Sequence, residues 1–222
     1  MIYTENIFIC LAAPLLIVAF LLKGDSRRHI LFLTIGLGVC LLSAYINSFL
    51  VSAAAGLDWY SLDAAESAIR LTPVCEEIMK AFPLFVYLAL FKPNEKSIVS
   101  AAFVIGLGFA TLENCSYLIQ YGASEVGFVL VRGFSAGIMH TVCAAVMGYG
   151  LAFALNRSRL IFVFSIGLLS AATTLHALYN LFVSGSGGWQ IAGYVFPAVL
   201  ALGILFLVKH PYVKYLGSWD KG

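Results

Sequence analysis

The sequence predicts an all-α integral membrane protein, a single bundle of about seven transmembrane helices. Of its 222 residues, 61% are hydrophobic and only 11% are charged, and the mean hydropathy is +0.95. Soluble globular domains carry roughly 25% charged residues, so this composition excludes a soluble protein. A helix that crosses a bilayer needs about 20 mostly apolar residues. The chain offers seven such stretches, separated by short polar breaks.

The seven predicted spans leave no room for a separate soluble domain, so residues 1–222 are interpreted as one transmembrane domain. The first stretch has no basic segment before it and no A-x-A cleavage site after it. It is therefore interpreted as a retained span rather than a signal peptide. The predicted spans cover residues 6–22, 30–52, 73–91, 97–121, 126–155, 160–183 and 189–208.

The charges of the connecting loops predict the orientation of the bundle. Cytoplasmic loops keep Lys and Arg, whereas exported loops have few. Ten of the 13 basic residues fall in alternate loops; only Arg70 and Arg132 fall on the other side, and Lys80 lies inside a span. The pattern predicts an external N-terminus and a cytoplasmic C-terminus. On the external side, apolar and charged residues intersperse over residues 57–70, which predicts a surface helix there.

Ionisable side chains inside the spans mark a candidate site, because such a residue near the bilayer centre costs about 2.5–3.5 kcal/mol and usually serves a function. In the third span, Glu76 and Lys80 share one helical face, with Glu77 about 100° around the helix. One acid can therefore pair with the lysine while its neighbour stays available. In each of the next three spans, small and polar residues share one helical face. The fourth span has Gly106, Ala110, Glu113 and Tyr117, with Asn114 beside them; the fifth has Gly133, Gly137, His140 and Ala144; the sixth has Thr173, His176 and Asn180.

The depth of each polar residue tests whether they can meet. Counted from the outer ends of the spans at about 1.5 Å per residue, most of them fall in the outer half of the membrane. His140 is the exception, at a depth near ~20 Å. The other depths are about 5 Å for Glu76 and Glu77, within about 11 Å for Lys80 and Asn180, and about 10–12 Å for Glu113 and His176. Gly106 with Ala110, and Gly133 with Gly137, are spaced for close helix contact.

Glutamates and histidines brought together in this way allow two hydrolytic mechanisms. They can hold a divalent metal such as zinc, with an open position for a water; the predicted ligands are Glu77, Glu113, His140 and His176. Alternatively, a glutamate activates a water directly while the histidines and Asn180 bind the oxyanion. Because the chain contains no H-E-x-x-H motif, the spacing leaves both routes open.

The order of these motifs resembles the PrsW family of intramembrane proteases, within the superfamily that includes the type II CAAX prenyl proteases and bacteriocin-processing enzymes. The resemblance covers roughly residues 73–183, and Tyr179 stands where many members have Trp. The matching motifs are E-E-x-x-K at Glu76, Glu77 and Lys80; an aromatic residue and E-N-x-x-Y at Phe109, Glu113, Asn114 and Tyr117; a single histidine at His140; and H-x-x-x-[ND] at His176 and Asn180.

The resemblance implies a peptidase that cuts a membrane-anchored protein, such as an anti-sigma factor, near the outer face of the bacterial inner membrane. It implies a bilayer-embedded protein substrate and no nucleic-acid partner. Zn²⁺ is a candidate cofactor. The implied catalytic group is Glu76, Glu77, His140 and His176, with Glu77 as the base, and the supporting or oxyanion-binding residues are Lys80, Glu113, Asn114, Tyr117 and Asn180.

Other interpretations of the polar cluster stay open. Chains of Glu, His and Lys also serve as relays in proton- or ion-coupled transporters, although those favour inverted repeats and a site at the midplane. A non-catalytic scaffold could keep the same fold. Glu76, Glu77 and Lys80 could form an interfacial salt-bridge cluster, and Glu113 could be a structural partner of Lys80 or Arg132.

Overall fold

The computed structural model describes residues 26–56, 64–121, 126–155 and 161–209, and all regular structure among them is helical. Each predicted span from the second to the seventh coincides with a long helix, to within four residues at either end. The first, 6–22, lies outside the described residues. The helices are α1 Ser26–Gly56, α2 Ala64–Arg70, α3 Thr72–Phe91, α4 Glu95–Tyr121, α5 Val126–Ala154, α6 Ile161–Ser184 and α7 Gly188–Lys209.

Five of the long helices are long and apolar enough to cross a membrane, which makes the chain an integral membrane protein. They are Arg27–Ala53, Glu95–Ile119, Leu130–Ala154, Ile161–Ser184 and Gly188–Leu207. The remaining long helix, α3, is apolar apart from Glu76, Glu77 and Lys80. The total of seven crossings and the orientation of the two ends stay predictions.

Helix α4 is the most buried of the five apolar helices. Ile98, Ala102, Ile105 and Phe109 on this helix are completely buried, and α4 packs against α1 on one side and α5 on the other. Among the five apolar helices, α6 and α7 are the least buried. Helices α1, α3 and α5 all pack against α4, so polar residues on its buried face meet other helices rather than lipid.

Small residues allow α4 and α5 to approach closely at Gly106. A Cβ added there would lie 2.7 Å from the Cβ of Ala144 and 2.9 Å from the carbonyl oxygen of His140, so the close contact predicted for Gly106 is confirmed. The same prediction is wrong for Gly137, where no described atom lies within 4 Å of an added Cβ. At this end of the two helices, the Asn114 side chain stands between them and donates a hydrogen bond to the carbonyl oxygen of Gly133.

Substituting Gly106 with Ala is expected to destabilise the bundle by about 1–3 kcal/mol, because the added methyl overpacks the contact between α4 and α5. The matched control is Gly167→Ala on α6, where no described atom lies within 4 Å of the added Cβ. There, Ala is expected to be neutral or slightly stabilising. Thermal unfolding in detergent measures both variants, and equal melting temperatures would contradict the predicted packing.

The predicted surface helix is described over its second half, as α2. This helix packs against α3 and α6 and buries Ser67. Its Glu66 and Arg70 side chains are exposed and form an ion pair with a separation of 3.5 Å. Residues 57–63 of the prediction lie outside the described part. Leu71 separates α2 from α3, so α2 lies at the end of α3 that carries the acids.

Candidate active site

Helix α3 contributes an ion pair and an additional acid. Glu77 and Lys80 are both buried, and the Lys80 Nζ lies 2.5 Å from the Glu77 Oε1, one helical turn away. Glu76 points toward α6 instead, with its Oε2 3.8 Å from the Nε2 of His176. The expectation that one acid pairs with the lysine while its neighbour stays available is confirmed, and the paired acid is Glu77.

His176, from α6, contacts both acids. Its Nδ1 lies 2.8 Å from the Glu77 Oε1, and its Nε2 faces Glu76. Because a carboxylate only accepts, Nδ1 donates a hydrogen bond to Glu77, and a ring that is protonated at Nδ1 alone presents the lone pair of Nε2 to Glu76. In metal sites, a histidine ligand is commonly oriented by a carboxylate that accepts a hydrogen bond from its other ring nitrogen.

His140, from α5, joins α3 to α4. Its Nδ1 lies 3.1 Å from the Lys80 Nζ, and its Nε2 contacts the Glu113 Oε2. An ammonium group only donates, so Nδ1 accepts from Lys80 and Nε2–H donates to Glu113. The ring stands edge-on to that of His176, with centroids 4.9 Å apart, and packs against Phe109 at 5.0 Å.

The prediction that His140 lies deeper in the membrane than the other residues of the cluster is therefore wrong. Counting predicts that His140 lies about 10 Å deeper than His176, whereas the two rings are in contact. The register of the helices explains this. His140 lies 14 residues from the start of α5, whereas Glu113 and His176 each lie 8 residues from the ends of α4 and α6, so the first residues of α5 extend about 9 Å beyond those ends.

A second layer of contacts surrounds Glu113. The Nη2 of Arg132 lies 3.7 Å from the Glu113 Oε1, and its Nη1 donates a hydrogen bond to the Asn114 Oδ1 at 2.8 Å. The guanidinium lies over the Tyr117 ring, 3.5 Å from its centroid. Asn114 and Tyr117 therefore contact Arg132. Of the two partners considered for Glu113, the structure has Arg132, while Lys80 binds Glu77 and His140. Asn180 lies one turn beyond His176 and is partly buried.

Three ligand atoms converge. Those of Glu76, His140 and His176 all lie within 4.8 Å of one another. Two members of the predicted metal set, Glu77 and Glu113, are outside this group. Glu77 contacts Lys80 and His176, and Glu113 contacts His140 and Arg132.

Two buried carboxylate oxygens indicate that the cluster binds a further group. The Oε2 atoms of Glu76 and Glu77 have no hydrogen-bond partner within the described part of the chain, and a buried polar atom left unpaired costs about 1–3 kcal/mol, or more if charged. Three carboxylates face two cations, Lys80 and Arg132. A divalent cation would bind the Oε2 of Glu76 and change the net charge of these groups from negative to positive. The Glu and His donors suit zinc.

Two residues shape the site in ways that the sequence does not predict. Arg132, which the sequence predicts to be an external basic residue and a possible partner of Glu113, also contacts Asn114 and Tyr117. The buried Ser135 donates to the hydroxyl of Tyr179 at 3.4 Å, one turn from His176. No motif marks Ser135, and only its position near the glycine stripe of α5 could have drawn attention to it.

Comparison with known protein families gives one result. A family model described as PrsW family intramembrane metalloprotease matches residues 26–208. The match includes every residue of the cluster. Comparisons with curated proteins and with solved structures give no match.

Proposed function

Because the chain belongs to the PrsW family of intramembrane metalloproteases, we propose that it cuts a membrane-anchored protein substrate near the outer face of the membrane. In this proposal, a glutamate activates water beside a zinc ion. The observation that supports it most is the convergence of Glu76, His140 and His176 next to an unpaired oxygen of Glu77. Family membership favours a protease over the proton- or ion-coupled transporter that the same polar residues would allow.

The zinc ligands in this proposal are Glu76, His140 and His176. Bound zinc would supply a Lewis acid and lower the pKa of a bound water. Glu77 holds the Nδ1 of His176 and thereby turns its Nε2 toward Glu76. His140 would act as a ligand through Nδ1 and give up Lys80, while Glu113 keeps its contact with Nε2.

Glu77 is the proposed general base. Its Oε1 accepts hydrogen bonds from Lys80 and His176, which fixes the carboxylate and leaves Oε2 to accept a proton from water. Lys80 is the nearest cation to both Glu77 and His140, so it is the group best placed to stabilise negative charge on a substrate carbonyl oxygen. Arg132 fixes Glu113, and Glu113 in turn fixes the ring of His140.

The position of the cluster supports cleavage near the outer face. Glu76 and Glu77 lie in the first turns of α3, and Glu113 and His176 lie about two turns from the C-terminal ends of α4 and α6. The opposite end carries Lys92 and Lys96, which the loop-charge rule assigns to the cytoplasm. Together with the family resemblance, this favours an anti-sigma-factor-like substrate in a bacterial inner membrane.

The test uses full-length protein in liposomes together with membrane proteins from cells that lack it, and new N-termini are identified by mass spectrometry. We expect new termini at the outer ends of single-span proteins. They should disappear after chelation and return when zinc is added. Cleavage at the cytoplasmic ends would contradict the proposed location, and cleavage that survives complete metal removal would contradict the role of zinc.

A further inference from the structure

A large cleft separates α3 from α6 at the end of the bundle opposite the polar cluster. Its volume is about 1290 Å³, above the roughly 300–1,000 Å³ typical of small-molecule sites. The two helices meet where Glu77 contacts His176. The cleft begins about two turns further along each helix, at Phe85 and Leu169.

The walls of the cleft are apolar. Leu88 and Ala89 from α3 face Phe162 and Ile166 from α6, and Leu155 at the end of α5 closes one side. Phe162 and Ile166 are exposed to the surroundings of the bundle. Because these helices lie in a bilayer, the surroundings are lipid chains, so the walls suit an acyl chain rather than a polar ligand.

The mouth of the cleft is charged and held in a fixed shape. Lys92 ends α3 in a left-handed conformation with φ of 45°, and Pro93 follows it. Asn94 then caps α4, its Oδ1 accepting a hydrogen bond from the Ser97 N–H at 2.9 Å. Lys92, Glu95 and Lys96 all line the mouth, so it carries one net positive charge beside the positive end of the α4 dipole.

We propose that this cleft binds one anionic phospholipid, with the headgroup phosphate at Lys92 and Lys96 and an acyl chain between α3 and α6. Basic pockets between membrane helices on the cytoplasmic side recognise anionic headgroups, and here the apolar cleft continues directly from the basic mouth. The bound lipid would brace α3 against α6 below the Glu77–His176 contact. The proposal does not depend on the reaction that the polar cluster performs.

The test is lipid binding to the full chain, delipidated in detergent and followed by native mass spectrometry. Phosphatidylglycerol is compared with phosphatidylcholine of the same acyl chains. We expect phosphatidylglycerol to bind more tightly. The double variant Lys92→Asn/Lys96→Gln should weaken its binding about 25-fold, at about fivefold per lysine, and should weaken phosphatidylcholine binding much less, because the choline cation offsets the charge of its phosphate. Asn is chosen at position 92 because it tolerates the left-handed conformation.

Two further variants test whether a change in lipid binding comes from the headgroup contact, from the cleft or from a general loss of positive charge. Ala89→Trp fills the cleft from an exposed position and should weaken both lipids. Arg27→Gln removes a basic residue of α1 that does not line the cleft and should change neither. Equal affinity of the parent for the two lipids would overturn the proposal, as would an effect of Arg27→Gln as large as that of the double variant.

Discussion

Replacing Glu77 with Gln is expected to slow cleavage by about 10²–10⁴-fold, the usual contribution of a general base. Gln keeps the size of the side chain but cannot take a proton from water. Zinc should stay bound under saturating conditions, because losing a residue that only orients a metal ligand reduces metal affinity by about 10–100-fold. Single-turnover cleavage in liposomes, measured at saturating zinc, checks the prediction.

The same substitution also tests the stability of the site. It leaves Lys80 buried without the carboxylate 2.5 Å away, and an unpaired buried charge costs about 3–5 kcal/mol. The double variant Glu77→Gln/Lys80→Met removes that charge. It should recover the melting temperature, which would show that the stability loss comes from the unpaired lysine. Because Lys80 has its own proposed role in cleavage, the loss of the base is measured on the single variant alone.

Glu66→Gln is the matched control. Glu66 is an acid on α2, at the same end of the bundle, and its ion pair with Arg70 is exposed. Surface pairs contribute about 0–1 kcal/mol, so this variant should keep parental stability and parental cleavage. If Glu77→Gln instead retained more than about a tenth of the parental rate, well outside the range expected for a general base, Glu77 would not be the base.

The helices, and the polar side chains that meet between them, could be predicted from the sequence because both depend on local patterns. A bilayer sets the length of an apolar span, so the ends of α3 to α7 differ from prediction by two residues or fewer. The polar motifs repeat at helical spacing, which places their members on inward faces. The three charged residues of α3 do not disturb the prediction of its ends, because this helix follows its predicted range.

The details that the sequence did not predict depend on packing between helices. The level of His140 follows from the register of α5, whose first residues extend past the ends of α4 and α6. The choice of Glu77 rather than Glu76 as the partner of Lys80 depends on rotamers, because both acids lie within one turn of the lysine. The convergence of Glu76 with two histidines depends on the rotation of α3 against α6, and the spacing within α3 carries no information about that.

Replacing Glu76 with Gln is expected to remove zinc binding more completely than replacing Glu113. Glu76 belongs to the convergent group, so Glu76→Gln removes a ligand, and the affinity should fall by more than about 100-fold, beyond the range for residues that only support a ligand. Glu113→Gln changes the partner of His140 and should cost about 10–100-fold. Zinc content per chain and competition with a chromophoric chelator measure both.

The order of the two effects decides between the ligand sets, because the set predicted from the sequence contains Glu113 and the set that converges in the structure contains Glu76. His176 belongs to both sets, so His176→Ala must lose zinc under either one and serves as the positive control. A larger loss for Glu113→Gln than for Glu76→Gln would assign the ligand to Glu113. If all three variants kept the parental zinc content, the metal would lie elsewhere, and Glu77 would have to activate water directly, assisted by the charges of Lys80 and the two histidines.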